Sequence, residues 1–193
     1  MKEVLIFLTD GFADWEASYV STELNKPGRG YQVKTIAIDT EPKKSMGGLT
    51  VLPDYALEGY EVHSQLAMLI LPGGTGWGED KHQQIKTLVA ECVAHNVPVA
   101  AICDATTFLG KHGFLDHQPH TGNSLPYLQA KAPEYQGHSY YVEAQSVLDG
   151  NLITANGSAA VEFGKHILER LQVLKQDELE QWFAIFKHGY IQT

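Results

Sequence analysis

Short, wholly apolar runs alternate with amphipathic stretches along this 193-residue chain. Such runs, when they end in turns rich in glycine, proline or aspartate, are typical of strands buried on both faces of a parallel sheet. The pattern predicts strands over residues 4–8, 33–38, 66–71 and 97–102. Two hairpins are also expected, one over residues 45–53 with Gly47-Gly48 inside it and one in which strands over residues 140–147 and 151–155 flank Asp149-Gly150.

Between the strands, apolar residues recur at the three- and four-residue spacing of helices with one buried face. Helices are predicted over residues 13–26, from about 85 to 93, from 105 to near Gly113, and after Ser158 as N-cap. In the second helix the buried face comprises Ile85, Leu88, Val89, Cys92 and Val93. A last helix should bury the stripe Leu179, Trp182, Phe183 and Phe186 against the domain or a partner subunit.

Buried strands that alternate with amphipathic helices predict an α/β fold, in which a mostly parallel sheet lies between two helical layers. Residues 1–193 are expected to form a single domain, since the length suits one core and no linker or repeat interrupts the pattern. In such sheets, functional sites form just beyond the carboxyl ends of the strands. Three places qualify: Thr9-Asp10-Gly11, Pro72-Gly73-Gly74 and Cys103-Asp104.

The amino-acid composition and charge argue against several classes of function. The formal net charge is −9 with only 14 Lys and Arg, which argues against binding to nucleic acid. No apolar run is long enough to cross a bilayer, so no membrane association is expected. Two cysteines without a secretory signal indicate a reducing, cytoplasmic location. Neither a metal site nor a cofactor is predicted, because the nine histidines show no ligand-like pairing with carboxylates.

Cys103 is the main candidate for chemistry. It follows the apolar run 97–102 and precedes a predicted helix, the position of the exposed nucleophile on a sharp strand-to-helix turn. Such an elbow requires small residues two positions away on either side, and these are Ala101 and Ala105. The start of a helix would also favour the thiolate. The alternative is that Cys103 is simply a small buried apolar residue, as Cys92 is expected to be.

Three further features could serve such a thiol. The paired glycines of Pro72-Gly73-Gly74 could point backbone amides into a cleft, as an oxyanion hole requires, or could simply form a tight turn. Glu16 could hydrogen-bond to the thiol or could be a solvated residue of the first helical turn. His120, at a plausible strand end, could supply a base.

The segment Ala100-Ala101-Ile102-Cys103-Asp104-Ala105-Thr106 resembles the nucleophile motif of the ThiJ/PfpI superfamily. Other segments resemble that superfamily in its order along the chain: 10–16, 71–74, 113–116 followed by 120–123, and 149–157. The resemblance implies a class I glutamine amidotransferase-like fold, which is a flavodoxin-like, three-layer αβα sandwich with a nucleophile elbow. It also implies a likeness to intracellular proteases and to a deglycase, and a homodimer as partner state.

The resemblance further implies site roles. Cys103 would be the nucleophile or the oxidation-sensitive thiol, and Glu16 its hydrogen-bond partner. The backbone amides of Gly74 and Asp104 would form the oxyanion hole, and His120 would be the nearest imidazole. One residue departs from the protease-type pattern, in which histidine often follows the cysteine, because Asp104 stands there. A carboxylate aimed at the sulfur would oppose thiolate formation.

Three functional hypotheses follow. The first is a cysteine-dependent enzyme acting on a small carbonyl or acyl substrate, either amidase- or protease-like or glyoxalase- or deglycase-like. The second is a redox or stress-response protein in which Cys103 is reversibly oxidised. The third is an inactive member that acts through its surface. Glutaminase activity is not expected, because no histidine and glutamate pair of the required kind follows Asn156.

Overall fold

The computed structural model describes residues 1–190 and is built on a seven-stranded sheet. Its strand order is β5-β2-β1-β6-β7-β9-β8. All neighbours pair in parallel except β8, which pairs antiparallel with β9 at one edge. The strands of this sheet are β1 (Lys2–Phe7), β2 (Tyr31–Ala37), β5 (Tyr55–Ala56), β6 (Leu66–Leu71), β7 (Val99–Ile102), β8 (Ser146–Asp149) and β9 (Leu152–Ala155); β3 (Lys43–Lys44) and β4 (Thr50–Val51) form a separate hairpin.

Helices cover both faces of the sheet. They are α1 (Ser18–Leu24), α2 (Lys86–Ala94), α3 (Asp104–Lys111), α4 (Leu125–Lys131), α5 (Ala160–Arg170) and α6 (Gln176–His188). Alternate residues of the central strands enter two separate hydrophobic clusters. Leu5 and Phe7 of β1 join the cluster of α2, α3 and α4, whereas Val4 and Ile6 join that of α1, α5 and α6. The predicted three-layer α/β architecture is therefore confirmed.

The four predicted strands and the hairpin over residues 45–53 lie within about two residues of those observed. The first strand of the hairpin around Asp149-Gly150 was expected over residues 140–147 but is Ser146–Asp149, and two helix starts also differ. The first helix begins at Ser18 instead of residue 13, because the chain first runs along the sheet end, where the Ala13 amide donates to Gly73 O at 3.1 Å. Ser158 does not cap α5. Its hydroxyl donates to Asn156 Oδ1, and the helix starts after Ala159. In α2, Val93 is 56% exposed and does not join the buried face.

The apolar stripe of α6 is only partly buried. Leu179 and Trp182 are buried in the core, and Phe183 packs against it. Phe186, in contrast, remains 45% exposed and touches the rings of Tyr19 and Trp182. The domain itself therefore covers Leu179, Trp182 and Phe183 but not Phe186, and burial of Phe186 against a partner subunit stays a prediction.

Replacement of Trp182 by alanine should destabilise the protein strongly. The ring of Trp182 lies so close to Gly164 of α5 that a methyl group there would approach its Cη2 atom to 3.0 Å. Emptying this space should lower the free energy of unfolding by about 3–5 kcal/mol. The matched variant Phe186→Ala should cost about 1 kcal/mol, since that ring is half exposed. Urea denaturation measures both losses, and equal values would contradict the deeper burial of Trp182.

Candidate active site

The carboxyl ends of four adjacent parallel strands bring four loops together. Strands β1, β6, β7 and β9 are neighbours in the sheet, so the segments that follow them meet at one edge. These segments are Thr9-Asp10-Gly11, Pro72-Gly73-Gly74, Cys103-Asp104 and Asn156-Gly157. The three places singled out from the sequence are therefore neighbours in space, and the turn after β9 completes the site.

Cys103 occupies a backbone conformation that residues with side chains rarely adopt. Its φ is 60° and its ψ is −129°, immediately before the first residue of α3. Its amide donates to Ala155 O of the neighbouring strand at 3.0 Å, which anchors the turn. Ala101 and Ala105 are fully buried, so the predicted need for small residues is met. A non-glycine residue held with positive φ at a strand-to-helix turn is the geometry of a nucleophile elbow.

Two glycines permit the close approach of neighbouring segments to Cys103. A methyl group on Gly73 would lie 2.5 Å from Cys103 Cβ and 3.0 Å from the Asp104 amide nitrogen. A methyl group on Gly157 would lie 2.8 Å from the Cys103 sulfur. The distances of 2.5 Å to Cys103 Cβ and 2.8 Å to the Cys103 sulfur are too short for a real methyl carbon. Only glycine therefore fits at these two positions without displacing the thiol.

At Gly74 the backbone conformation, and not the proximity of Cys103, favours glycine. Its φ of 125° lies in a region that favours glycine, and an added methyl group would strike Gly11 O at 2.1 Å. The amide of Gly73 already donates to Glu16. The next amide along the loop, that of Gly74, is thus the loop's remaining candidate donor toward a bound oxyanion, together with that of Asp104.

Glu16 is fully buried beside Cys103. Its Oε2 atom accepts a hydrogen bond from the Gly73 amide at 2.5 Å, while Oε1 has no hydrogen-bond partner among the described residues. Burial raises the pKa of the Glu16 carboxyl to about 7, with a smaller contribution from the charge of Asp104, although the Gly73 amide and Cys103 oppose this rise. Glu16 is therefore not a solvated residue of the first helical turn, which was the alternative interpretation of the sequence.

The Cys103 sulfur is half buried and receives a hydrogen bond from an asparagine. Asn123 Nδ2 lies 3.4 Å from the sulfur, and Asn123 Oδ1 accepts from the Gly157 amide at 2.9 Å. Burial and the charge of Glu16 raise the pKa of the Cys103 thiol to about 11, while Asn123 and the Asp104 amide act in the opposite direction. The Asp104 amide at the helix start thus favours the thiolate, as expected from the sequence, but burial and the charge of Glu16 outweigh it. Protonation of Glu16 would remove the largest repulsion from a neighbouring charge.

His120 is also buried, but its ring nitrogens are engaged elsewhere. Nδ1 lies 2.8 Å from Gln118 O, and Nε2 lies 2.6 Å from the Tyr135 hydroxyl. Neither nitrogen contacts the sulfur, so the expected base is not in place. Asn123, three residues further on, is the polar side chain that reaches the thiol. The sequence contains a signal for it, since Gly122-Asn123 lies at the same plausible strand end as His120.

The side chain of Asp104 turns toward α4. Its Oδ1 atom accepts a hydrogen bond from the Tyr127 hydroxyl at 2.7 Å. Burial raises the pKa of Tyr127 to about 12, and the hydrogen bond to Asp104 and the charge of Asp104 contribute to this rise. The phenol is therefore the donor in this bond. Asp104 therefore contributes its amide near the sulfur while its carboxylate is tethered to a neutral group.

One wall of the site is aromatic. Trp15, which is 47% exposed, donates from Nε1 to Gly157 O at 3.2 Å and so covers the glycine turn beside the sulfur. Across residues 1–190 no group of three or more histidine, cysteine or carboxylate side chains is arranged to hold a metal ion. In the same residues, no helix combines the length and apolarity needed to span a bilayer.

These features define a class: an α/β protein with a cysteine on a nucleophile elbow, a buried carboxyl beside it and a glycine loop facing it. The chain belongs to the DJ-1/PfpI family, whose model matches residues 2–170. It is 36% identical to a Bacillus subtilis protein named as an uncharacterized protease, YoaZ, with 96% of this chain and 91% of that protein aligned. A thiJ/pfpI family protein from Bacillus anthracis superimposes with a TM-score of 0.90 at 35% identity, covering 98% of this chain and 92% of that one.

A more distant relative carries a different activity in its name. The Caenorhabditis elegans protein named glutathione-independent glyoxalase DJR-1.2 is 28% identical over 145 residues, which cover 74% of this chain and 75% of that protein. Relatives of this chain are thus named after two kinds of chemistry, proteolysis and glyoxal conversion.

Cys103 should be alkylated in the native protein, and Cys92 should not. Cys92 is fully buried in the core, and burial raises the pKa of its thiol to about 12. Limited treatment with iodoacetamide followed by peptide mapping measures both rates. Labelling of Cys92 as fast as Cys103 would contradict the packing of α2 against the sheet.

Gly157→Ala should slow alkylation of Cys103 by about tenfold or more, because the added methyl group must displace either the sulfur or its Asn123 donor. Gly78→Ala is a matched control, since a methyl group at Gly78 meets no atom within 4 Å. Pseudo-first-order alkylation rates of the two folded variants provide the comparison. An unchanged rate in Gly157→Ala would show that this turn does not confine the thiol.

Proposed function

We propose that the protein is a cysteine-dependent enzyme acting on a small carbonyl compound, with Cys103 as nucleophile and glyoxalase- or deglycase-like chemistry. The observation that carries this proposal is the Cys103 elbow with a buried carboxyl, Glu16, as its acid–base neighbour. The name of the C. elegans relative supports the same reaction class.

An amidase or protease reaction is less well supported by the site. Cleavage of an amide requires a group that protonates the leaving amine, and histidine usually performs this step. The ring nitrogens of His120 are bonded to Gln118 O and the Tyr135 hydroxyl, and the residue after the nucleophile is Asp104. A reactive aldehyde has no amine to expel, so one carboxyl that moves a single proton is sufficient for it.

In the proposed reaction the Cys103 thiolate adds to the aldehyde carbon of an oxoaldehyde. The amides of Gly74 and Asp104 would stabilise the resulting oxyanion. Glu16 would give a proton to that oxygen and, once ionised, would accept the proton from the former aldehyde carbon. Return of the proton to the neighbouring carbon, with transfer of the hydroxyl proton from the former aldehyde oxygen to the former ketone oxygen, yields a thioester, and water then releases a hydroxy acid and the free thiol.

The first experiment measures conversion of methylglyoxal to lactate, with a chromogenic amide as parallel substrate. Turnover of methylglyoxal by the native protein that is lost in Cys103→Ser would support the proposal. Turnover of the amide alone would favour the protease-like alternative. Equal turnover by the native protein and Cys103→Ser would refute a nucleophilic role for Cys103.

Reversible oxidation of Cys103 is a second candidate function. Asn123 Nδ2 and the Asp104 amide both donate toward the sulfur, and the same donors would stabilise the negative oxygen of a sulfenate. Mass spectrometry after mild peroxide treatment would detect a mass increase on Cys103. If this increase is reversed by thiols while no carbonyl substrate is converted, the redox alternative is favoured.

Glu16→Leu should slow alkylation below about pH 7, where the protonated carboxyl can donate to the thiolate, but should lower the midpoint of thiol ionisation, because above that pH the charge of Glu16 raises the pKa of the Cys103 thiol. Leucine keeps the approximate size but can neither donate to the thiolate nor repel it. Glu16→Gln retains a donor without charge, so its midpoint should also lie below that of the native protein. In the native protein the carboxyl loses its proton as pH rises through about 7, so its support for the thiolate should weaken above that pH.

Alkylation rates from about pH 5 to about pH 12 in all three proteins provide the measurement. This span covers the pKa of Glu16, about 7, and that of the Cys103 thiol, about 11. Superimposable profiles for the native protein, Glu16→Gln and Glu16→Leu would show that Glu16 does not act on Cys103. Loss of folding in Glu16→Leu alone would be detected by circular dichroism, and the Gln variant would then carry the comparison.

A further inference from the structure

The ionisable groups that act on Cys103 are all acidic. Glu16 and Asp104 are the charged groups that raise its pKa. Its other polar neighbour, Asn123, is neutral, as is Trp15 at the mouth of the site. A nucleophilic thiol is usually supported by a neighbouring cation, such as a histidinium or a lysine. Here the electrostatic surroundings are those of an acidic pocket.

No basic side chain neutralises these two carboxylates within the described part of the chain. The ion pairs of residues 1–190 include neither Glu16 nor Asp104. Asp10, on the loop after β1, shows the contrast, because Lys81 lies 3.1 Å from it. A cation does lie beyond Tyr127, where Lys131 Nζ is 5.8 Å from the ring centroid. Lys131 is exposed, however, and solvent screens its charge.

The tether to Tyr127 keeps the charge of Asp104 at the site. The phenol hydrogen bond, 2.7 Å long, satisfies one carboxylate oxygen without supplying a positive charge. Because Asp104 is the first residue of α3, its carboxylate cannot move far from the elbow. The thiol and Glu16 together carry one negative charge when they share one proton, and Asp104 adds a second.

We propose that Asp104 is a specificity-determining residue that makes the Cys103 site select uncharged or cationic electrophiles and reject anionic ones. The inference rests on the proposed role of Cys103 as nucleophile. It assigns a substrate class, neutral aldehydes such as methylglyoxal rather than carboxylate-bearing aldehydes such as glyoxylate. A carboxylate that approaches the sulfur would meet two like charges in partly buried surroundings, where Coulomb repulsion is stronger than in water.

Paired alkylating agents test this selectivity without requiring turnover. Iodoacetamide and iodoacetate have nearly the same size and form the same carbon–sulfur bond with loss of iodide, but only iodoacetate is anionic. The ratio of their second-order rates at Cys103 should exceed the ratio for a free small thiol. A change in thiolate population affects both agents equally, so the ratio reports the charge of the reagent alone.

Asp104→Asn should lower the iodoacetamide-to-iodoacetate ratio by roughly three- to tenfold. Asparagine has the same shape and can still accept from Tyr127. Tyr127→Phe removes the hydrogen bond but leaves the charge, so its ratio should stay at or above the native value. Glu61→Gln is the matched control, because this exposed carboxylate precedes β6 and so lies at the amino ends of the parallel strands, away from Cys103 at their carboxyl ends. Its ratio should not change.

Added salt should reduce the native ratio and have little effect on that of Asp104→Asn, since screening weakens only the repulsion. A native ratio equal to that of a free thiol, or one that Asp104→Asn leaves unchanged, would overturn the proposal. Equal decreases in Asp104→Asn and Glu61→Gln would also overturn it, because net charge would then be the cause. Selective alkylation without conversion of any aldehyde would refute the enzymatic proposal while leaving this one intact.

Discussion

The packing of three chain segments around one side chain is the constraint on which the site depends. The loop after β6, the elbow after β7 and the turn after β9 approach Cys103 closely because glycine stands at positions 73 and 157. The parallel sheet supplies this arrangement, since it brings the ends of neighbouring strands to one edge. Any side chain at either glycine would separate the thiol from its hydrogen-bond donors.

The same packing produces the electrostatics of the site. The Gly73 loop holds Glu16 by its amide and excludes water from it, so burial raises the pKa of this carboxyl toward neutrality. A carboxyl with that property exchanges its proton near physiological pH. Because the thiol and the carboxyl influence each other's ionisation, they form one titrating unit instead of a nucleophile and a separate base.

The sequence predicted the elbow and its surroundings well because those features depend on local patterns. Apolar runs located the strands, and the small residues beside Cys103 marked the turn. Asn123 and the true start of α1 were missed because they depend on contacts between distant segments. The side chain of Asn123 bridges the sulfur and the Gly157 amide, 34 positions away. His120 illustrates the opposite error, since residue type suggested a base and only the fold shows its nitrogens bonded to Gln118 and Tyr135.

Asp104 connects the fold to the chemistry in two ways. Its backbone amide lies at the start of α3, where it opposes the rise in the pKa of the Cys103 thiol, whereas its carboxylate contributes to that rise. A histidine at this position would add a base and remove a negative charge. With aspartate there, the buried Glu16 carboxyl on the Gly73 loop is the neighbouring group whose pKa lies near neutrality, and the pocket stays acidic. We therefore expect a thiol in such surroundings to react best with electrophiles that need little proton transfer and carry no negative charge, so that the identity of residue 104 would bear on the substrate as well as on the mechanism.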